Sequence, residues 1–191
     1  VPLVEYADTS RWEEWQRDYR FGAFYIFPPS GVIEPLDELR RRYDPRSASY
    51  CQAHLSLSEP LTGPLSTTQF AELRIALSSV DPFDITYGPL RDFPPHPGIA
   101  YAIEPLERFM RLRSTIHATS LFAGAALARK DVPPHLTIAE FISPEQTAEL
   151  LRVLRGNVPE GGFRCSSIEY AVPNRDFSFE RVLTVPLGTS P

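Results

Sequence analysis

The sequence is poor in the groups on which many enzyme classes depend. Its two cysteines, Cys51 and Cys165, lie far apart with no metal-like spacing, which argues against a disulfide framework or a cysteine zinc site and for two buried free thiols. There is no glycine-rich phosphate loop, no Ser-His-Asp order and no setting that would make a cysteine nucleophilic. Lys130 is the one lysine among 19 basic side chains, and the net charge is −5. That balance argues against coating of long nucleic acid, which needs many cationic contacts to phosphates, but it is compatible with a small nucleotide or a single RNA end. No stretch approaches the roughly 18 apolar residues of a membrane span, and the opening VPLVEYADTSRWEEW lacks the charged and apolar regions of a signal peptide. The expectation is a cytoplasmic, monomeric protein with no membrane partner, cofactor or metal.

What is present reads as one globular unit over residues 1–191, with residues 1–20 as an N-terminal helical extension; 42% of the side chains are hydrophobic. Thr9-Ser10 precede RWEEWQRDYR, a capped amphipathic helix with Trp12 and Trp15 on one side. GAFYIF follows as a strand stopped by Pro28-Pro29, then VIEPLDELRRRYD as a helix ending near Pro45. QAHLSLSE is expected as a strand, TTQFAELRIALSSV as a helix, and FDITYG and GIAYAIE as strands. Pro105 opens a helix running to about Leu121. The second half predicts strand HLTIAEF, helix SPEQTAELLRVLRG, and strands RCSSIEYAV and FSFERVLTV joined by the turn Pro173-Asn174-Arg175-Asp176. The 20 prolines punctuate element ends without forming a linker. The pattern is α+β.

HLSLSE at 54–59 and HLTIAE at 135–140 share the pattern His-Leu-Ser/Thr-Leu/Ile-Ser/Ala-Glu, an internal repeat centred on histidine. Side chains alternate along a strand, so His54, Ser56 and Ser58 point one way and Leu55 and Leu57 the other, with His135, Thr137 and Ala139 set against Leu136 and Ile138. Each motif then offers an imidazole two residues from a hydroxyl on an aliphatic backing. Inward polar groups on what reads as a central strand destabilise unless they are paired, and two strands doing so alike suggest one shared cavity. Displacement at phosphorus needs one proton removed and another delivered, which two imidazoles do near neutral pH. Ser56 and Thr137 would hold the non-bridging oxygens.

These paired motifs resemble the signature of the 2H phosphoesterase superfamily, which includes 2′-5′ RNA ligase-like proteins and 2′,3′-cyclic nucleotide phosphodiesterases. The resemblance extends to GAFYIFPPSGVIEPLDELRRRYDP, to Pro134 before the second histidine, and to the closing strand pair. It implies a bilobal α+β fold with pseudo-twofold symmetry, two antiparallel sheets with flanking helices and a central cleft. His54 and His135 become the catalytic pair, with Ser56 and Thr137 as phosphate ligands. The implied activity is phosphodiester hydrolysis or formation on a cyclic or 2′-linked nucleotide, above all 2′,3′-cyclic phosphate to 2′-phosphate, as in RNA processing. A nucleotide or RNA-end binding module of the same fold with little turnover is the alternative. Glu140, mirrored by Glu59, stands where some ligase-like members carry a basic residue, and a carboxylate there disfavours a long polyanion and so RNA joining.

Tyr25 could stack a nucleobase or simply pack in the core; Phe177 is a weaker aromatic candidate, and Arg175 could reach a phosphate across the closing turn. Tyr170 and Tyr101 could equally face the core. The Arg40-Arg41-Arg42 run reads as ordinary helix-end surface. His96 and His117 lack a matching hydroxyl and read as structural or surface residues.

Overall fold

The computed structural model describes residues 3–94 and 96–188. In chain order its strands are β1 (Ala23–Ile26), β2 (Leu55–Ser56), β3 (Phe83–Asp92), β4 (Ile99–Glu104), β5 (His135–Ala139), β6 (Gly161–Cys165), β7 (Ser167–Pro173) and β8 (Phe179–Pro186). The helices are α1 (Glu14–Arg17), α2 (Ser30–Tyr43), α3 (Pro45–Tyr50), α4 (Thr67–Ser78), α5 (Leu106–His117) and α6 (Pro144–Leu154), with 3-10 turns at Asp18–Phe21 and Ser120–Phe122.

Two four-stranded sheets result, in the orders β2-β1-β7-β8 and β5-β4-β3-β6, with every pairing antiparallel. Each sheet contains the same unit of strand, helix and neighbouring strand: β1-α2-β2 in one and β4-α5-β5 in the other. The motif strands β2 and β5 are therefore equivalent under a pseudo-twofold, as the repeat implies. They are edge strands, not the central strands expected, and the two edges approach each other where the lobes meet. One buried cluster draws on both sheets, including Phe24, Leu55, Leu57, Tyr101, Leu136, Ile138 and Tyr170.

Local chemistry explains the boundaries. Helices α4 and α6 begin at Ser66 and Ser143, whose hydroxyls accept from the backbone N–H of Gln69 and Gln146 while those glutamines reach back, the reciprocal arrangement that satisfies two free helix N–H groups. The N-terminal helix is shorter than expected, four residues followed by a 3-10 turn, because the reciprocal cap forms at Glu13 and Gln16 instead of Thr9-Ser10. Pro105 occupies the N-cap of α5 and not its first turn, and the helix stops at His117.

Strand β2 is only two residues long because Ser58 turns away: its Oγ accepts from Phe24 N at 3.0 Å and donates to Glu59 O at 2.7 Å. Ser58 is thus buried in the backbone and does not share the face of His54. The single strand expected over 164–172 is two strands in different sheets, β6 and β7. The buried positions change phase at Ser166, from Phe163 and Cys165 to Ile168, Tyr170 and Val172, and a one-residue slip sends the chain to the other sheet.

Candidate active site

Leu55, Leu57, Leu136 and Ile138 are buried, while His54, Ser56, His135 and Thr137 are half-buried and line one cavity of about 650 Å³ between the lobes. The period of two along each motif produces this directly. His54 Nδ1 lies 2.7 Å from Gln52 O, and His135 Nδ1 lies 2.9 Å from Pro133 O. A carbonyl only accepts, so each Nδ1 carries the proton and each Nε2 keeps its lone pair for the cavity.

Tyr25 lines the same cavity but is 3% exposed, its ring edge-on to His54 at 4.9 Å and to Phe179 at 5.6 Å. It backs the first imidazole instead of offering an open face. Phe177 also lines the cavity, at φ 61°. This conformation is costly for a bulky side chain, and Asn174 holds it: Asn174 Oδ1 accepts from Asp176 N at 3.0 Å and Ser178 N at 3.1 Å. Arg175 is not brought to the site. Its side chain is exposed outside the cavity lining, and its backbone carbonyl accepts from the Trp12 indole at 3.0 Å. His96, read as a plain loop residue, lines the cavity, whereas His117 sits behind the site with Nε2 accepting from Glu59 N at 3.3 Å.

Arg129, on the loop before β5, lines the cavity beside the histidines, as does the buried Arg40 of α2. Arg129 bonds the Tyr19 hydroxyl and pairs with Glu59 at 3.7 Å, and Glu59 also accepts from the Arg129 backbone N–H. Glu59 is buried in that pair and does not repel a ligand, contrary to the expectation for it. Glu140 does line the cavity and accepts from Ser47 Oγ at 3.0 Å. Although Glu140 is exposed, the surrounding protein desolvates its carboxyl and raises its pKa from the ordinary value.

Desolvation, reinforced by the charges of Arg40 and Arg129, pushes His54 down to about 3. His135 is lowered too, again by desolvation first and then by Arg129 and Arg113. Both imidazoles are neutral at pH 7 in the ligand-free cavity. An entering anion offsets the cations and restores proton affinity to the pair.

A model of the 2′-5′ RNA ligase superfamily matches residues 28–176. The chain belongs to this superfamily, the 2H phosphoesterases. Among its relatives, a Bacillus cytotoxicus protein bearing the name phosphoesterase is 30% identical over 133 residues, spanning 68% of this chain and 75% of that protein. A protein of the same name from Oceanobacillus iheyensis is 27% identical over 129 residues, 66% of this chain and 74% of its own. The fold is shared with Escherichia coli LigT complexed with 3′-AMP (TM-score 0.58, 13% identity, 87% of this chain and 97% of LigT). It is shared equally with TT0787 of Thermus thermophilus (TM-score 0.57, 16% identity, 88% and 98% covered).

In this 2H phosphoesterase three aromatic residues that precede the family-matched stretch, Trp15, Tyr19 and Tyr25, also line the cavity. Trp15 is 39% exposed and contacts Phe177 at 5.3 Å, Tyr50 at 6.1 Å and Phe141 at 6.2 Å. The result is an aromatic wall beside the histidines, reached from the sequence by Phe177 alone. Arg129 was equally hidden, because nothing in AALARKDVPPH marks which loop residue turns inward. Arg40 was legible and was misread as surface: Ile33, Leu36, Asp37 and Arg40 are buried at helical spacing, which places Arg40 on the inner face.

Proposed function

We propose that this 2H phosphoesterase hydrolyses a small cyclic or 2′-linked nucleotide phosphodiester, opening a 2′,3′-cyclic phosphate to the 2′-phosphate by acid/base catalysis between His54 and His135. The observation that carries this reading is the placement of two Nδ1-protonated imidazoles, each with a hydroxyl two residues on, around one cavity. Water attacks phosphorus while one imidazole takes its proton. The bond to the 3′-oxygen breaks, and the other imidazole, protonated when the anionic substrate binds, delivers a proton to that oxygen. Ser56, Thr137 and the Arg129 guanidinium hold the non-bridging oxygens as charge grows on them. The aromatic wall of Trp15, Tyr50 and Phe141 supports a flat base on the substrate, since stacking contributes roughly 1–3 kcal/mol per base. A cavity of this size also favours a nucleotide or a short RNA end over an extended strand.

A panel of 2′,3′-cyclic nucleotides incubated with the protein in the presence of a chelator tests this. The expected result is conversion to 2′-phosphates, identified by phosphorus NMR, at a rate that added divalent ions do not change. Turnover that vanishes with chelator and returns with a metal would overturn the two-histidine reading. Tight binding of 2′-nucleotides without turnover would assign the chain to the binding-module alternative.

A further inference from the structure

Two buried arginines hold the loops that lead into the motif strands; Arg40 also belongs to the cavity lining, whereas Arg113 does not. In α2, Arg40 is 2% exposed; in α5, Arg113 is 3% exposed. Arg40 Nη1 donates to Cys51 O at 2.6 Å and to Asp37 Oδ1 at 2.9 Å, and Asp37 Oδ1 accepts from Ala53 N at 2.8 Å. Ala53 N–H and Gln52 C=O belong to one planar peptide unit and point in opposite directions. Holding the N–H therefore aims the carbonyl at His54 Nδ1. Arg113 Nη1 donates to Val132 O at 2.5 Å and to Arg129 O at 2.8 Å. The next peptide has no N–H to hold, because Pro133 is followed by Pro134, and proline's fixed φ does the work that Asp37 does in the other lobe. Arg113 also reaches the first motif, with Nε to Leu57 O at 3.1 Å and Nη2 to Ser56 O at 3.0 Å.

The far ends of the motif strands are held by the ends of the same two helices, exchanged. Asp44, at the end of α2, accepts from Glu140 N at 2.8 Å and Phe141 N at 3.1 Å beyond β5. His117, the last residue of α5, accepts from Glu59 N beyond β2. Helix α2 thus fixes the entrance to the His54 strand and the exit of the His135 strand, and α5 does the reverse.

We propose that Arg40 and Arg113 are a matched pair of positioning residues, which fix the tautomer and ring orientation of His54 and His135 by holding the backbone that presents a carbonyl to each Nδ1. A planar five-donor fork suits this task, and a lysine keeps the charge without the fork. The role rests on the two-histidine reading for its use in catalysis, but not for its test.

Long-range ¹H–¹⁵N spectra of the ligand-free protein report each imidazole's tautomer without any substrate. Wild type is expected to show His54 and His135 as Nδ1–H. In Arg40→Lys, His54 becomes a mixture of tautomers while His135 is unchanged. In Arg113→Lys, His135 becomes a mixture, and kcat on a cyclic nucleotide falls about 10²-fold with KM little altered, the scale of an ångström-level misplacement. If a lysine variant does not fold, Asp37→Asn supplies the same reading at His54. Folded variants in which both imidazoles stay pure Nδ1–H overturn the proposal, whether or not the protein turns over cyclic phosphodiesters. Altered tautomers in a protein with no such turnover would sustain it while the functional reading failed.

Discussion

Replacing His54 or His135 by alanine is expected to lower turnover of a 2′,3′-cyclic nucleotide by about 10²–10⁴-fold each, the range for loss of a general acid or base. The double variant should fall well short of the product of the two losses, because the pair acts as one unit. Steady-state kinetics on folded variants checks both statements. The pH profiles carry the electrostatics. In the free protein, burial and nearby arginines hold His54 at about 3 and lower His135, so both limbs of the kcat/KM bell belong below the ordinary histidine value of about 6.5. Bound substrate brings negative charge and raises both affinities, so the kcat bell should lie at higher pH than the kcat/KM bell. The limbs report the coupled pair and not single residues. Near-full activity in either folded single variant would remove the mechanism.

Arg129→Met is the second large effect, an expected loss of about 10²–10³-fold in kcat, the scale seen when one oxyanion donor is removed. Arg129 lowers the proton affinity of both histidines, so without it the limbs of kcat/KM move to higher pH. Loss of Arg129 also leaves Glu59 buried without its cation, which costs stability independently of catalysis. The comparison is therefore made in an Arg129→Met, Glu59→Gln background, with thermal unfolding confirming the fold. An unchanged rate and unchanged limbs there would show that Arg129 takes no part in the reaction.

The contrast between Arg129 and the histidines shows what the sequence could reveal. Repetition makes His54, Ser56, His135 and Thr137 visible, and strand alternation alone turns each histidine and its hydroxyl partner to the same face. The α+β class and most elements followed from period and punctuation. Where that reasoning failed, contacts distant in sequence decided the outcome. Ser58 left its strand face to bond Phe24 N, and β6 and β7 read as one run because the phase slip at Ser166 falls between two apolar stretches.

Arginine was the least legible residue. Arg175, chosen for its turn, faces solvent, whereas Arg40 and Arg113 are buried at positions given by helical spacing. A charged residue on the apolar stripe of a helix is a signal, because burial without partners would be prohibitive. Here the partners are backbone carbonyls of the loops that carry the histidines, and only the fold brings them together. Trp15 and Tyr19 lie outside the two repeated motifs, so the repeat could not point to them.

In the proposed mechanism one phosphate sits between two imidazoles. A crystal structure of the protein with a 2′-nucleotide tests it most directly. Phosphorus is expected between His54 Nε2 and His135 Nε2, with oxygens on the hydroxyls of Ser56 and Thr137; a phosphate bound elsewhere, with the two imidazoles untouched, would remove the two-histidine mechanism.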